Sequence, residues 1–181
     1  MILKKILSIL TLFSTLLVAD ATIYMGGGYM YANESLDQGG SNSNNAVSLK
    51  IGYGDIKAYA VELSIDYIDN KSKIYMDDDG AKYGLNIAVL KSFNFDWGFY
   101  PFLRAGFGTG MLDSKADNDN NSVTYGSFNL GGGIFYPLFE HMDLEVAYEH
   151  RSTSYEKIDN SLEDYQKSAI NIGYVGVNFR F

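Results

Sequence analysis

The 181-residue sequence predicts an all-β fold, an eight-stranded antiparallel up-and-down transmembrane β-barrel, and three observations point to it. Apolar residues recur at every second position in eight segments. The polar connections between segments alternate long and short, and aromatic residues collect at both ends of the segments. The composition agrees, with 15 Tyr, 11 Phe and 19 Gly beside a mean hydropathy of −0.10, no Cys and a formal net charge of −8. So many rings exclude a disordered chain, and the missing Cys excludes disulfides and thiolate-bound zinc. The acidic balance lacks the basic footprint that a nucleic-acid partner requires.

The N-terminus reads as an address. Lys4 and Lys5 precede an apolar stretch of 14 residues, Ile6 to Ala19, which closes on Ala19-Asp20-Ala21. A basic start, a short apolar centre and small residues at the end describe a secretory signal peptide, since a permanent helical anchor needs about 20 apolar residues. Residues 1–21 are therefore expected to be a signal peptide cleaved after Ala21 or Ala19, and 22–181 the barrel. Removing Lys4, Lys5 and Asp20 leaves the mature chain at −9.

The strands follow in order. An apolar segment from Ile23 to Tyr31 comes first, its phase blurred by Gly26, Gly27 and Gly28. Then Val47 to Tyr53, Tyr59 to Tyr67, Tyr83 to Val89, Phe99 to Phe107, Phe128 to Tyr136, Leu144 to Tyr148 and Val175 to Phe181 each alternate apolar with polar or small residues. Ile170 and Ile172 fall out of phase with Val175 to Phe181, for which a β-bulge near Gly173 is the expected remedy. Long polar loops are expected from Asn33 to Asn45, Asp69 to Gly80, Leu112 to Ser122 and Ser152 to Lys167. Short turns are expected near Asp55 to Lys57, Phe93 to Trp97 and Pro137 to His141.

Charges decide which face meets which solvent. Opposite the apolar set stand Lys50, Lys82, Arg104, Arg151 and Arg180 with Glu62, Asp66, Asp143, Glu145 and Glu149. Five cations and five anions on one face form a neutral network, which suits a lumen where charges must pair while the apolar face meets hydrocarbon. The turn at Asp55 to Lys57 sets Lys50 directly across from Glu62. A soluble lipocalin-like barrel would turn these charges outward, but it has no use for two aromatic levels. Tyr53, Tyr59, Phe99, Tyr136, Phe179 and Phe181 lie at the short-turn end, and Tyr29 or Tyr31, Tyr67, Tyr83 and Tyr148 at the other. The four long loops hold 13 acids, Glu34 among them, and 5 lysines, a crown of −8.

The last strand, Gly173 to Phe181, ends on Phe with apolar Val175, Val177, Phe179 and Phe181 at alternate positions. It resembles the C-terminal signal by which bacterial outer-membrane barrels are recognised for assembly. Tyr100 to Gly108 and Leu130 to Tyr136 resemble strands of the OmpX and OmpA-like eight-stranded barrel family. The resemblance covers the mature chain and implies a Gram-negative outer membrane, contacts with the lipid bilayer and lipopolysaccharide, periplasmic chaperones and barrel-assembly machinery. It implies no peptidoglycan-binding domain.

An eight-stranded barrel is filled by its own side chains, so a structural or surface-interaction role through the acidic loops is expected. A narrow small-solute channel is one alternative. Inward Gly52, Gly84, Gly106, Gly108, Gly131 and Gly133 are expected to make room for long charged side chains. The other alternative is enzymatic: His150 and Ser152, two apart at the loop end of the seventh strand, with Asp164 in the next loop. A base that takes a serine proton and an acid that orients the base are what acyl transfer needs. The spacing resembles the His-x-Ser pair of lipid A deacylase barrels, although Thr153-Ser154-Tyr155 replaces the Asn-Ala-Gly of that family. Asp77 to Asp79 and Asp117 to Asp119 lack the EF-hand pattern and read as solvated acidic loops. No metal site and no cofactor is expected.

Overall fold

The structure, a computed structural model, describes residues 21–37, 39–75, 79–114, 122–156 and 166–181. Eight strands run in chain order: β1 (Thr22–Leu36), β2 (Ser41–Gly54), β3 (Tyr59–Asp69), β4 (Lys82–Ser92), β5 (Tyr100–Asp113), β6 (Ser122–Phe139), β7 (Met142–Tyr155) and β8 (Lys167–Arg180). Each pairs antiparallel with the next, and β8 pairs with β1 to close the barrel. Closure leaves no unpaired sheet edge.

Period-two alternation becomes a two-faced wall. On β2, Val47, Leu49, Ile51 and Tyr53 are exposed while Ser48, Lys50 and Gly52 are buried between them. The same alternation fixes β1, where Ile23, Met25, Tyr29 and Tyr31 point out and Tyr24, Met30 and Ala32 point in. The even phase continues to Glu34, which is 0% exposed and lies inside the barrel rather than in the acidic crown.

The first long connection is shorter than its polarity suggests. Asn33 pairs with Ser43 and Ser35 with Ser41, so most of the expected loop from Asn33 to Asn45 is ladder. The alternation fades there because beyond an apolar belt both faces of a strand meet polar surroundings, while the backbone bonds continue.

Two further expectations need correction. The connection after β2 occupies residues 55–58, with Ala58 N–H donating to the Asp55 carbonyl at 2.8 Å. The register therefore sets Lys50 opposite Ser64 and Glu62 opposite Gly52, so Lys50 and Glu62 meet diagonally. On β8 the pairing runs unbroken through Gly173 on both sides, with no bulge. Ile170 (4% exposed) and Ile172 (1%) point inward, where they pack with Met30, Ala32, Ala46 and Ile68. The lumen has its own apolar layer, which an alternation of apolar-out and polar-in does not foresee. A register shift does occur at Pro137/Phe139 in β6, where proline has no N–H for the ladder.

Candidate functional site

The ten charged residues predicted for the lumen lie on the inner face and are brought into ion pairs in four tiers. Nearest the short turns, Arg180 Nε donates to Asp143 at 2.7 Å. In the middle tier Glu145 and Glu62 share two cations. Arg104 lies 2.6 Å from Glu62 and 2.8 Å from Glu145, and Lys50 bonds Glu145 while standing 3.5 Å from Glu62. Tyr24 donates to Glu62 at 2.8 Å and Asn178 to Glu145 at 2.9 Å, so neutral donors complete the shells of both carboxylates. Above them Arg151 bridges Asp66 and Glu149, and Asn86 donates to Asp66 at 2.9 Å.

The uppermost pair joins Lys82 to Glu34, with Tyr155 donating to Glu34 at 2.9 Å and Ser168 at 2.7 Å. Glu34 is the member sequence reasoning missed. Its inward phase with Met30 and Ala32 is the signal that reveals it. With Glu34 the inner face carries six anions against five cations, and the loop crown falls from −8 to −7.

Apolar groups close the intervals. Phe102 and Phe135 stack with centroids 4.5 Å apart beside Leu90 and Ile56 at the turn end. Ile74, Leu112, Val123 and Tyr155 cluster at the loop end with Tyr75 against them. Tyr75 donates to the Glu156 carbonyl at 2.7 Å. Burial, with Asp79 and Glu156 nearby, pushes its phenol up to about 12. Inward glycines make room for rings, amides and close backbone rather than for long charged side chains: a Cβ at Gly52 would strike the Tyr24 ring at 2.1 Å, one at Gly108 the Asn86 amide at 2.1 Å, and ones at Gly106 and Gly133 the neighbouring strands' carbonyls at 2.3 and 2.2 Å.

Between the tiers lies a central cavity of about 40 Å³, lined by Lys50, Glu62, Arg104, Asn129, Arg151 and Tyr174, among others. At roughly 10–15 Å³ per water it has room for a few waters. Arg104 Nε, Asn129 Oδ1 and Tyr174 Oη lack a protein partner and are the groups such waters would satisfy.

On the outer wall His150 and Ser152 both point outward. The imidazole partner is Asn171, with Nδ1 2.9 Å from Asn171 Oδ1, and Tyr148 donates to the same oxygen at 2.7 Å. Ser152 faces Phe128 and Ala169 across the ladders. Asp164 lies outside the described residues, as do Asp77, Asp78, Asp117, Asp119 and residues 1–20. Val175, Phe179 and Phe181 are exposed and Val177 partly so, in one outward row, with Phe181 N–H bonded to the Ile23 carbonyl at 2.9 Å. The turn 93–99 adds an aromatic run that alternation between strands does not mark. Phe93, Phe95, Trp97 and Phe99 follow one another at centroid spacings of 6.1, 4.7 and 5.6 Å.

A family model described as "Outer membrane protein beta-barrel domain" matches residues 6–181. A search of curated protein sequences gave no match. Among solved structures, Neisserial surface protein A is similar at 16% identity and a TM-score of 0.69, over 89% of this chain and 99% of that one. Ail, the attachment invasion locus protein of Yersinia pestis, is similar at 17% identity and 0.54, over 89% and 99%. OprG from Pseudomonas aeruginosa is similar at 14% identity and 0.52, over 89% and 95%. These likenesses establish the fold.

Proposed function

The chain belongs to the outer-membrane protein β-barrel family, and on that premise we propose that it is a non-enzymatic envelope protein that meets its partner through its acidic loop end. It is an integral protein of the Gram-negative outer membrane, set in the lipid bilayer with lipopolysaccharide. The observation that carries the reading is the filled interior: four tiers of ion pairs and two apolar clusters occupy the lumen among the described residues. The charge left over is the crown, which includes Asp37, Asp69, Asp113 and Glu156 among the described residues and favours a cationic partner.

Polylysine binding to the protein in neutral vesicles tests this. We expect salt-sensitive binding that falls at least tenfold when Asp77, Asp78, Asp117 and Asp119 are replaced by Asn; equal binding by that variant rejects the reading. Lipid A spectra from cells carrying the native chain or His150→Ala address the hydrolase alternative of His150, Ser152 and Asp164. The proposal expects identical spectra. Export by a signal peptide ending at Ala21 or Ala19, passage by periplasmic chaperones, and recognition of Val175, Val177, Phe179 and Phe181 by barrel-assembly machinery complete the proposal. Deleting Phe181 should impair insertion more than replacing any single loop aspartate.

A further inference from the structure

We propose that the lumen binds one small monovalent metal cation, held between Glu149 and Asn129 on the loopward side of the central cavity.

The charge balance of the inner face calls for it. Its six anions and five cations do not cancel, and the ion pairs locate the surplus. Arg180 and Asp143 neutralise each other, as do Lys82 and Glu34. Asp79 also acts on Lys82 from the loop side, so Lys82 has no charge to spare for the tier beneath it. Glu145 and Glu62 are balanced by Lys50 and Arg104. The remaining tier sets Asp66 and Glu149 against Arg151 alone among the described residues. One negative charge is therefore left between two apolar clusters, where an unbalanced charge costs far more than in water.

Unsatisfied oxygens mark the same tier. Asn129 is 2% exposed, lines the cavity and donates its Nδ2 to Asn86 at 3.1 Å, yet its Oδ1 has no partner. Asp66 is 1% exposed, and both of its donors, Arg151 at 2.7 Å and Asn86 at 2.9 Å, reach Oδ2. Its Oδ1 is left buried and bare. Asn129 pairs with Arg151 across the β6–β7 ladder, and Glu149 is its diagonal neighbour. Glu149 and Asn129 both line the cavity, so a carboxylate and an amide carbonyl come within reach of one ion. The cavity of about 40 Å³ has room for that ion and for the waters that complete its shell.

Chemistry selects the occupant. An anion would double the surplus charge. A divalent cation would invert it, and no group of three or more acidic or histidine ligands to hold one occurs among the described residues. A proton on Asp66 or Glu149 would weaken one of the two charge-assisted bonds of Arg151 and leave Asn129 Oδ1 bare. Water alone would satisfy Asn129 but not the charge. A monovalent metal ion cancels the charge, keeps both bonds of Arg151 and takes oxygen ligands. The site is inside the barrel and stands whether or not the loop crown binds a basic partner.

The test is urea unfolding of the full chain refolded in uncharged detergent, in sodium chloride or in N-methylglucamine chloride of equal concentration. An ion that binds only the folded barrel raises the urea midpoint, and we expect an unfolding constant about tenfold lower in sodium. Glu149→Gln removes the surplus charge and should bring the two midpoints together, while the exposed crown variant Asp69→Asn should keep them apart. If Glu149→Gln does not fold, Asp66→Asn removes the same charge from the other side of Arg151. Equal wild-type midpoints in the two salts overturn the proposal, as does a sodium effect that persists in a folded charge-removal variant. A midpoint that follows pH but not the cation assigns the surplus to a proton and overturns it too.

Discussion

The turn-end half and the loop-end half of this barrel use the same strands, yet they hold their charges differently. Toward the turns, Glu145 and Glu62 share Lys50 and Arg104, so each carboxylate meets two cations under a seal of stacked Phe102 and Phe135. Toward the loops, Lys82 and Glu34 form a separate pair, with the Asp79 carboxylate also acting on Lys82 and the hydroxyls of Tyr155 and Ser168 on Glu34. A shared network and a separate pair respond differently to loss of one member. Removing an anion from the network leaves two cations to share one carboxylate, whereas removing Lys82 leaves a carboxylate that keeps two neutral donors and can take up a proton.

The largest effect should follow from Glu145→Leu, which leaves Lys50 and Arg104 with Glu62 alone. We expect a loss of about 3–5 kcal/mol, read as a lower urea midpoint in detergent or as failure of the heat-dependent gel shift. Lys82→Met should cost less, about 2 kcal/mol in the same assay, because Glu34 retains Tyr155 and Ser168. Equal losses would show that the two halves are held alike.

A smaller effect separates inside from outside. Ile172 is 1% exposed in the lumen and Ile65 is 62% exposed on the wall. Ile172→Val should cost about 1 kcal/mol, since packed protein cannot flow into the gap. Ile65→Val should be close to neutral, since lipid chains can. A neutral Ile172→Val would mean that the inward phase of β8 contributes no packing.

The smallest effect concerns the loop cap. The Tyr75 phenol is raised from 10.0 to about 12, so the folded state favours its protonated form. Its contribution is fully present below pH 10 and is lost as the pH rises through about 12. The bond to the Glu156 carbonyl goes with the proton. Tyr75→Phe should therefore remove a step in loop protection against proteolysis between those values, with the rest of the alkaline response unchanged.

These halves were also unequally legible in the sequence. Between the aromatic levels one face meets hydrocarbon and the other meets paired charges, so Leu49, Ile51 and Tyr53 announce both the strand and its direction. The ten lumen charges could be read there because a charged group on an otherwise apolar strand has few places to go. Above the belt both faces are polar, and the alternation that identifies a strand disappears while the ladder goes on. That is why the residues near Asn33 and Ser43 read as loop, and why Glu34 reads as one of the exposed acids. The failure at Ile170 and Ile172 has another cause. A single apolar layer in the lumen reverses the rule locally, and only the closed ladder shows which side the isoleucines take.

Conductance across a planar bilayer, after insertion of the refolded protein, bears directly on the filled lumen. We expect a baseline current in salt at moderate voltage, since the central cavity of about 40 Å³ has room for only a few waters between tiers of paired charges. Stable single-channel openings by the native chain would contradict it.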